Sequence, residues 1–228
     1  MKKKILVILL IGLVMIGITG CNSNDNSKDI NKPSDNKENQ TKTISAITSL
    51  SGTEEIDGIE YKVEKIEDGD YIMFIKNNNS TGVRLFAYLL FYKDGDEIDH
   101  RQSQNNIDYF APGAVGAIHL KDINYDYNYY KVRFDVQENK YEDYSKYITF
   151  KEEVKNDKLI ISPINDSNEE VVVGAYVIFY KNNKVVAYSS GNNAFGDYII
   201  NSYPKDKDGN RIEYDNYEIY IDSAYKLD

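Results

Sequence analysis

The sequence predicts an all-β fold in which two tandem immunoglobulin-like antiparallel β-sandwich domains follow a signal peptide and a disordered tether. Three observations support it. First, short segments rich in Tyr, Ile and Val alternate between apolar and polar residues, and pairs such as Asp94-Gly95 and Asn182-Asn183 separate them; Gly and Asn accept the positive φ angles of tight hairpins. Second, no amphipathic stretch of about ten residues predicts a helix in the folded part. Third, the segment 83–93 is repeated at 171–181.

The repeated segment indicates a tandem duplication. Residues 83–93 and 171–181 lie 88 positions apart and share six of eleven residues. A Tyr-x-x-Tyr spacing near the end of each copy, beginning at Tyr127 and Tyr214, agrees with an offset of 87. Self-similarity of this kind marks repeated structural units. The predicted β-sandwich domains are 45–140 and 141–228.

Alternation and turn residues predict six strands in each copy. We expect segment 83–93 to be the most buried strand, because it is apolar on both alternating faces. Tyr130 and Tyr217 are expected in the last strand of each copy, in the core or at its edge, although their spacing also resembles the tyrosine corner of an immunoglobulin domain. The predicted strands are 59–67, 70–77, 83–93, 96–102, 115–121 and 129–136 in the first copy, and 147–155, 158–165, 171–181, 184–190, 195–203 and 215–222 in the second.

The amino terminus predicts export. Three lysines at positions 2–4 precede an apolar run from Ile5 to Ile18, which is too short to span a bilayer comfortably and fits the central region of a signal peptide. The run ends in Ile18-Thr19-Gly20-Cys21, which resembles the lipobox of bacterial lipoproteins. That resemblance implies removal of residues 1–20, a diacylglyceryl group on the Cys21 thiol, and an acyl chain such as palmitate on the new amino terminus.

Residues 21–44 are predicted to form a lipidated, flexible tether. The stretch is rich in Asn, Ser, Asp, Lys and Glu, so it cannot bury enough apolar surface to fold. About 22 flexible residues have a root-mean-square span of roughly 25 Å. The expected location is therefore the cell membrane of a bacterial envelope, with the folded part anchored by lipid on the extracellular side, because two or more acyl chains hold a protein on a bilayer.

Composition and motifs argue against several functional classes. The net charge is −10 and becomes −13 once the three lysines of the signal peptide are removed, so we expect no nucleic-acid partner. Cys21 is the only cysteine, so no internal disulfide can form. His100 and His119 have no Cys or His neighbour at ligand spacing. We therefore predict no catalytic residue, no metal and no cofactor, while the many carboxylates leave a cell-wall hydrolase as a less favoured alternative.

Three segments of the first copy resemble the FxLYD-type domains of bacterial surface lipoproteins. They are Lys76–Ser80, an Asn-rich turn; Ala87–Gly95, a core strand that enters an Asp-Gly hairpin; and Phe110–Gly113, which holds a Pro-Gly turn. The second copy keeps the turn and the strand but has Ile199-Ile200 where Pro112-Gly113 would fall. The resemblance implies small β-sandwiches at a cell surface and brings no catalytic residues with it.

Two segments are candidates for binding. The run from Tyr125 to Tyr130 is the densest in aromatic residues, and Tyr125, Tyr127 and Tyr129 form the candidate interaction surface, because Tyr offers contact area at low entropic cost. Packing of alternate tyrosines inside a strand is the competing interpretation. The segment Pro204–Asn210 has some features of a calcium loop, but Pro204 stands where a carboxylate is required, so a long polar turn is the better interpretation.

The sequence thus favours a lipid-anchored, exported lipoprotein that acts as a non-enzymatic cell-surface interaction or structural module. Its expected partners are the membrane, through lipidated Cys21, and an extracellular protein or glycan. The alternative is an envelope accessory protein that binds a solute between its domains or assists transport or folding.

Overall fold

The computed structural model describes residues 53–66, 69–102, 106–123, 125–156, 158–193 and 199–226. The predicted signal peptide (1–20), Cys21 and the predicted tether (21–44) lie outside these residues. The all-β, antiparallel β-sandwich prediction is confirmed.

Among the described residues, eight strands form the first half of the folded part, and six strands and a short 3-10 turn (Ser145–Tyr147) form the second. Those of the first half are β1 (Glu54–Ile56), β2 (Ile59–Lys65), β3 (Tyr71–Asn77), β4 (Val83–Lys93), β5 (Asp96–Gln102), β6 (Ile107–Phe110), β7 (Val115–Leu120) and β8 (Tyr129–Glu138). Those of the second half are β9 (Ile148–Lys155), β10 (Lys158–Asn165), β11 (Val171–Lys181), β12 (Lys184–Asn193), β13 (Ile200–Asn201) and β14 (Asn216–Lys226).

The strands build four antiparallel sheets. Sheet I has the order β1-β2-β3-β7, and sheet II consists of β5, β4 and β8 with the short β6 beside β4. Sheet III has the order β12-β11-β14, and sheet IV the order β13-β10-β9. By order and register, sheet IV of the second half corresponds to sheet I of the first, and sheet III corresponds to sheet II.

Each half encloses its own hydrophobic core. Sheets I and II face one another across a cluster that includes Tyr71, Leu89 and Phe91. Sheets III and IV enclose a second cluster that includes Ile161 and Phe179. The alternation of the strands places these residues on the inner faces, as in other sandwiches.

A third cluster joins the two halves. The outer face of sheet I packs on the outer face of sheet III, and the shared apolar surface (the joint) buries Ile66, Ile72, Phe74, Ala117, Tyr176, Ile178, Val185 and Tyr220. Contacts group the described residues, from 53 to 226, into one compact unit. The division into domains at 45–140 and 141–228 stays a prediction.

The joint changes which strand is most buried. All five residues from Tyr71 to Ile75 in β3 are buried, because sheet I has apolar layers on both sides. In β4, only alternate residues are fully buried and Arg84 is exposed. The prediction that segment 83–93 is the most buried strand is therefore wrong for the first half; in the second half its counterpart β11 is buried on both faces.

The turn predictions are confirmed at the hairpins. Asp94 and Gly95 have φ angles of 53° and 96°, and Asn182 and Asn183 have 52° and 61°, which is the left-handed pair of a tight hairpin. Asn77 is fully buried at the end of β3. Its side-chain amide donates hydrogen bonds to the carbonyl oxygens of Phe110 (2.8 Å) and Ala111 (3.2 Å), which holds the Asn-rich turn against the end of β6.

Candidate functional site

The outer face of sheet II carries a row of aromatic side chains that are only partly buried. Every second residue of β4 from Phe86 to Tyr92 lies on this face, and all four are half-buried. The neighbouring strand β8 places Tyr129, Lys131, Arg133 and Asp135 directly opposite Tyr92, Leu90, Tyr88 and Phe86, respectively. We call this the β4–β8 face.

Cations lie over the rings of the β4–β8 face. The Lys131 ammonium is 4.7 Å from the centroid of the Tyr92 ring, and the Arg133 guanidinium is 4.2 Å from that of Tyr88. Tyr92 also stacks on Tyr129 with the ring centroids 5.1 Å apart. Each of the two cation–π contacts stabilises this arrangement by about 0.5–1 kcal/mol at an exposed site. Together they hold long side chains in place before any partner arrives, which lowers the entropic cost of binding.

At one end of the face, Arg84 extends the pattern with its guanidinium 4.9 Å from the ring centroid of Phe86. Arg84 also pairs with Asp108 at 3.2 Å, and Arg133 with Asp135 at 3.6 Å. Positive and negative groups therefore alternate across a surface that is nearly neutral, although the whole chain carries −10. Such a face contributes little to the repulsion of other acidic surfaces.

The chemistry of this face suits recognition. Tyr, Phe and Arg are the residues enriched at protein interfaces and at their energetic hot spots. The rings give apolar contact area, and the guanidinium groups give directional hydrogen-bond donors. Among the described residues, no group of three His, Cys, Asp or Glu side chains is arranged to hold a metal ion.

The three tyrosines predicted as an interaction surface lie in different environments. Tyr125 is 65% exposed, and Tyr129 is 43% exposed as part of the β4–β8 face. Tyr127 instead packs against the first core, 4.8 Å from the Phe91 ring, and its hydroxyl bonds with that of Tyr71. The structure thus brings Tyr129 together with the β4 aromatics and places Tyr127 in a structural role.

Sequence reasoning assigned the whole repeated strand 83–93 to the core, and here it was wrong. Phe86, Tyr88, Leu90 and Tyr92 are the half of that strand that faces outward. A signal was present in β8, where residues 131, 133 and 135 are Lys, Arg and Asp at alternate positions. Charged residues at every second position mark a solvent face of the paired strand.

The segment Pro204–Asn210 folds as a polar turn. The Asp206 carboxylate accepts hydrogen bonds from the backbone amides of Asp208 (2.9 Å) and Asn210 (2.8 Å) and from the Asn210 side chain (3.1 Å). These hydrogen bonds lower the pKa of Asp206, and the one from the Asn210 side chain has the largest effect. Its oxygens are therefore directed at groups of the turn itself.

Two buried polar groups lie at or near the joint. His119 of β7 is 1% exposed, bonds with Asp70 at 2.6 Å, and stacks on Tyr188 of the second half with the ring centroids 4.0 Å apart. Asp222, at the β-bulge of β14, is 4% exposed and accepts a hydrogen bond from the Ser223 hydroxyl at 3.0 Å. Burial raises the pKa of Asp222 to about 7.

Comparison of the chain with known protein families, curated proteins and solved structures finds no match. Among the described residues, no helix is long and apolar enough to cross a membrane.

Proposed function

We propose that this protein is a lipid-anchored, exported lipoprotein that acts as a non-enzymatic cell-surface interaction module, with the β4–β8 face as its binding surface. Cys21 would carry the lipid, and residues 21–44 would set the distance between the membrane and the folded part. The FxLYD-like segments of the first half support this assignment by resemblance. The ligand class is an extracellular protein or glycan.

The observation that carries the proposal is the uncovered aromatic and cationic β4–β8 face. The equivalent face of the second half is covered: Tyr176, at the position of Tyr88, is 1% exposed in the joint. The first half has Tyr88 at this position, and no sheet of the described residues covers it. Exposed aromatic patches with a polar rim are typical of interaction sites.

The alternative of a solute-binding accessory protein has less support. Apolar side chains fill the joint between the halves, where such a site was expected. A depression of about 390 Å³ lies beside the connection between them, lined by Asn139, Lys140, Tyr141, Glu142 and Lys226. It is open to solvent and not enclosed, unlike the apolar pockets that bury small ligands.

The binding surface can be tested with one matched pair of variants. Arg133→Ala removes a guanidinium stacked on Tyr88, and Arg211→Ala removes one stacked on Tyr203, 3.4 Å from its ring centroid but outside the β4–β8 face. Purified full-length protein carrying each change is used to capture components of an envelope extract. The proposal expects at least one component that wild type and Arg211→Ala retain and Arg133→Ala loses. Identical capture by all three proteins contradicts it.

The anchor is tested separately by fractionation. We expect Cys21→Ala to move the protein from the membrane fraction to the soluble fraction, because the thiol that carries the lipid is gone. Metabolic labelling with a tagged fatty acid should mark wild type and leave the variant unlabelled. A variant that stays in the membrane and still takes up label contradicts the anchoring proposal.

A further inference from the structure

The joint between the two halves uses two faces that do not correspond to one another. Sheet I contributes its outer face from the first half, and sheet III contributes its outer face from the second. Sheet III corresponds to sheet II, and sheet I corresponds to sheet IV. The contact is therefore of the head-to-tail type, which, unlike a two-fold contact, leaves one partner face free at each end.

The two free faces are the counterparts of the two joined ones. One is the β4–β8 face of sheet II, which corresponds to the joined face of sheet III. The other is the outer face of β9 and β10 in sheet IV (the β9–β10 face), which corresponds to the joined face of sheet I. Repeating the internal relation between two molecules would place the β9–β10 face of one chain on the β4–β8 face of the next.

At the centre of both free faces, apolar residues occupy the positions that are apolar in the joined faces. Leu90 lies at the position of Ile178, and Ile160 at the position of Ile72, and both counterparts are buried in the joint. Ile164, further along β10, is 42% exposed. A contact built on these rows would exclude water along its centre, as the joint does.

The polar changes on the two faces complement each other. In the joint, the Phe74 ring lies 5.6 Å from that of Tyr220. The corresponding residues of the free faces are Ser162 and Arg133, so an aromatic pair is replaced by a hydroxyl and a guanidinium that can form a hydrogen bond.

A second pair of positions, one on each free face, is also complementary in charge. In the joint the Tyr180 hydroxyl donates a hydrogen bond to the Glu218 carboxylate at 3.2 Å, and burial, together with the charges of Glu218 and Glu64, raises the pKa of Tyr180. On the free faces Glu64 corresponds to Glu153, whereas Glu218 corresponds to Lys131. Two like charges in the joint would become an opposite pair between molecules, which favours this partner face over others.

We propose that the chain associates with copies of itself head to tail, the β9–β10 face of one molecule packing on the β4–β8 face of the next. The occupant of the proposed binding surface is thus a second copy of the chain, and this inference rests on the proposed function only in using the same face. The polar substitutions make the contact weaker than the joint. Anchoring in one membrane would raise the local concentration of both faces.

Cross-linking on membranes tests the geometry. Leu90→Cys and Ile160→Cys are introduced together and singly into the full chain, and membranes of producing cells are treated with a bismaleimide cross-linker of roughly 10 Å span, the usual separation of packed sheets. Head-to-tail contact expects the double variant to give a ladder of dimers, trimers and larger species, while neither single variant gives more than wild type. Dimers from Leu90→Cys alone indicate a two-fold contact and overturn the proposal, as does the absence of any cross-link above wild type.

The wild-type lane separates this inference from the anchoring proposal. Its only thiol is Cys21, which lipid would block. Cross-linked wild-type dimers would contradict lipidation, and the ladder would then be scored in a Cys21→Ser background.

A charge exchange provides the specific control. Lys131→Glu in the double-cysteine chain should remove the cross-linked species, dimers included, because it would face Glu153 across every contact. Adding Glu153→Lys should restore them, since the opposite pair is re-formed with its signs reversed. Both positions are on the surface, and membrane levels of each variant verify folding. The proposed register is overturned if Lys131→Glu leaves the ladder unchanged. It is also overturned if Glu153→Lys does not restore a ladder that Lys131→Glu has removed.

Discussion

Tyr88 and Tyr176 occupy the same register position in the two halves, but only Tyr176 is covered by another sheet. Tyr176 is 1% exposed and lies in the joint, whereas Tyr88 carries the Arg133 guanidinium 4.2 Å from its ring centroid on an open face. The difference arises from the neighbouring layer and not from the strand itself. Two strands that share six of eleven residues therefore lie in different surroundings, one between two sheets and the other on an open face.

Phe74→Ala should destabilise the folded unit strongly. Phe74 is 4% exposed in the joint and packs on Tyr220, so removal leaves a cavity between the halves. We expect a loss of about 3–5 kcal/mol in the free energy of unfolding, measured by urea denaturation. Phe86→Ala is the control, because Phe86 lies half-buried on the β4–β8 face and should cost about 1 kcal/mol. Equal losses for both variants would contradict the described joint.

Asn77→Ala should cost more stability than Asn165→Ala. The two residues hold the same turn in the two halves, and each accepts a hydrogen bond from a backbone amide two residues on. Only Asn77 is fully buried, and its amide also donates to the carbonyl oxygens of Phe110 and Ala111, which the variant leaves unsatisfied.

We expect a loss of about 1–3 kcal/mol for Asn77→Ala and less than about 1 kcal/mol for Asn165→Ala, by thermal or urea unfolding. An equal or larger loss at Asn165 would contradict the burial difference.

Because of Asp222, the free energy of unfolding should fall as the pH rises from 3.8 to about 7. Burial raises its pKa from the ordinary 3.8 to about 7, so the folded state holds a proton that the unfolded state releases. The stabilising contribution is complete below pH 3.8, declines as the pH rises, and is lost above about 7. Asp222→Asn removes this dependence and should raise stability at pH 8 by up to about 4 kcal/mol relative to wild type.

The measurement is the unfolding free energy of Asp222→Asn and wild type at several pH values between 4 and 8. The groups near Asp222 include Ser223, Asp108 and Tyr225, and Arg84 pairs with Asp108. Asp135→Asn, on the exposed face, is the control and should leave the pH profile unchanged. A difference between Asp222→Asn and wild type that does not grow with pH would contradict the prediction.

Calcium should not stabilise the turn at Pro204–Asn210. The Asp206 carboxylate is already engaged by three donors of the turn, so a cation would have to displace them. We expect the thermal midpoint of wild type in millimolar Ca²⁺ to equal that in a chelator. An increase that Asp206→Asn abolishes would establish a calcium site.

Strands and hairpins could be predicted because local chemistry determines them. The left-handed pairs Asp94-Gly95 and Asn182-Asn183 stand where the sequence places them, and β4 and β11 have the predicted bounds. Tyr130 and Tyr217 lie in the last strand of each half, packed against its core as expected. Two short strands were missed, β1 and β6, because segments of three or four residues carry no clear alternation.

The candidate site could not be predicted because the order of the layers is not a local property. An apolar residue on the outer face of a strand is compatible with cover by another sheet and with exposure in a binding surface. Leu90 and Ile178 have similar side chains at the same position, yet only Ile178 is buried. The aromatic run predicted Tyr125, Tyr127 and Tyr129 as one surface, but alternation alone does not show that Tyr129 stacks on Tyr92 while Tyr127 packs on Phe91.

The joint also leaves an apolar surface exposed for a time during biosynthesis. The first half is synthesised before the second, and until the second arrives its outer sheet exposes Ile72 and Phe74 to solvent. Such a surface is prone to aggregation in a nascent chain. Glu60, Lys62 and Glu64 alternate along β2 on the same side of sheet I, where charged side chains act as gatekeepers against premature association. The duplication thus carries a kinetic liability, and the charges of one strand limit it until the chain is complete.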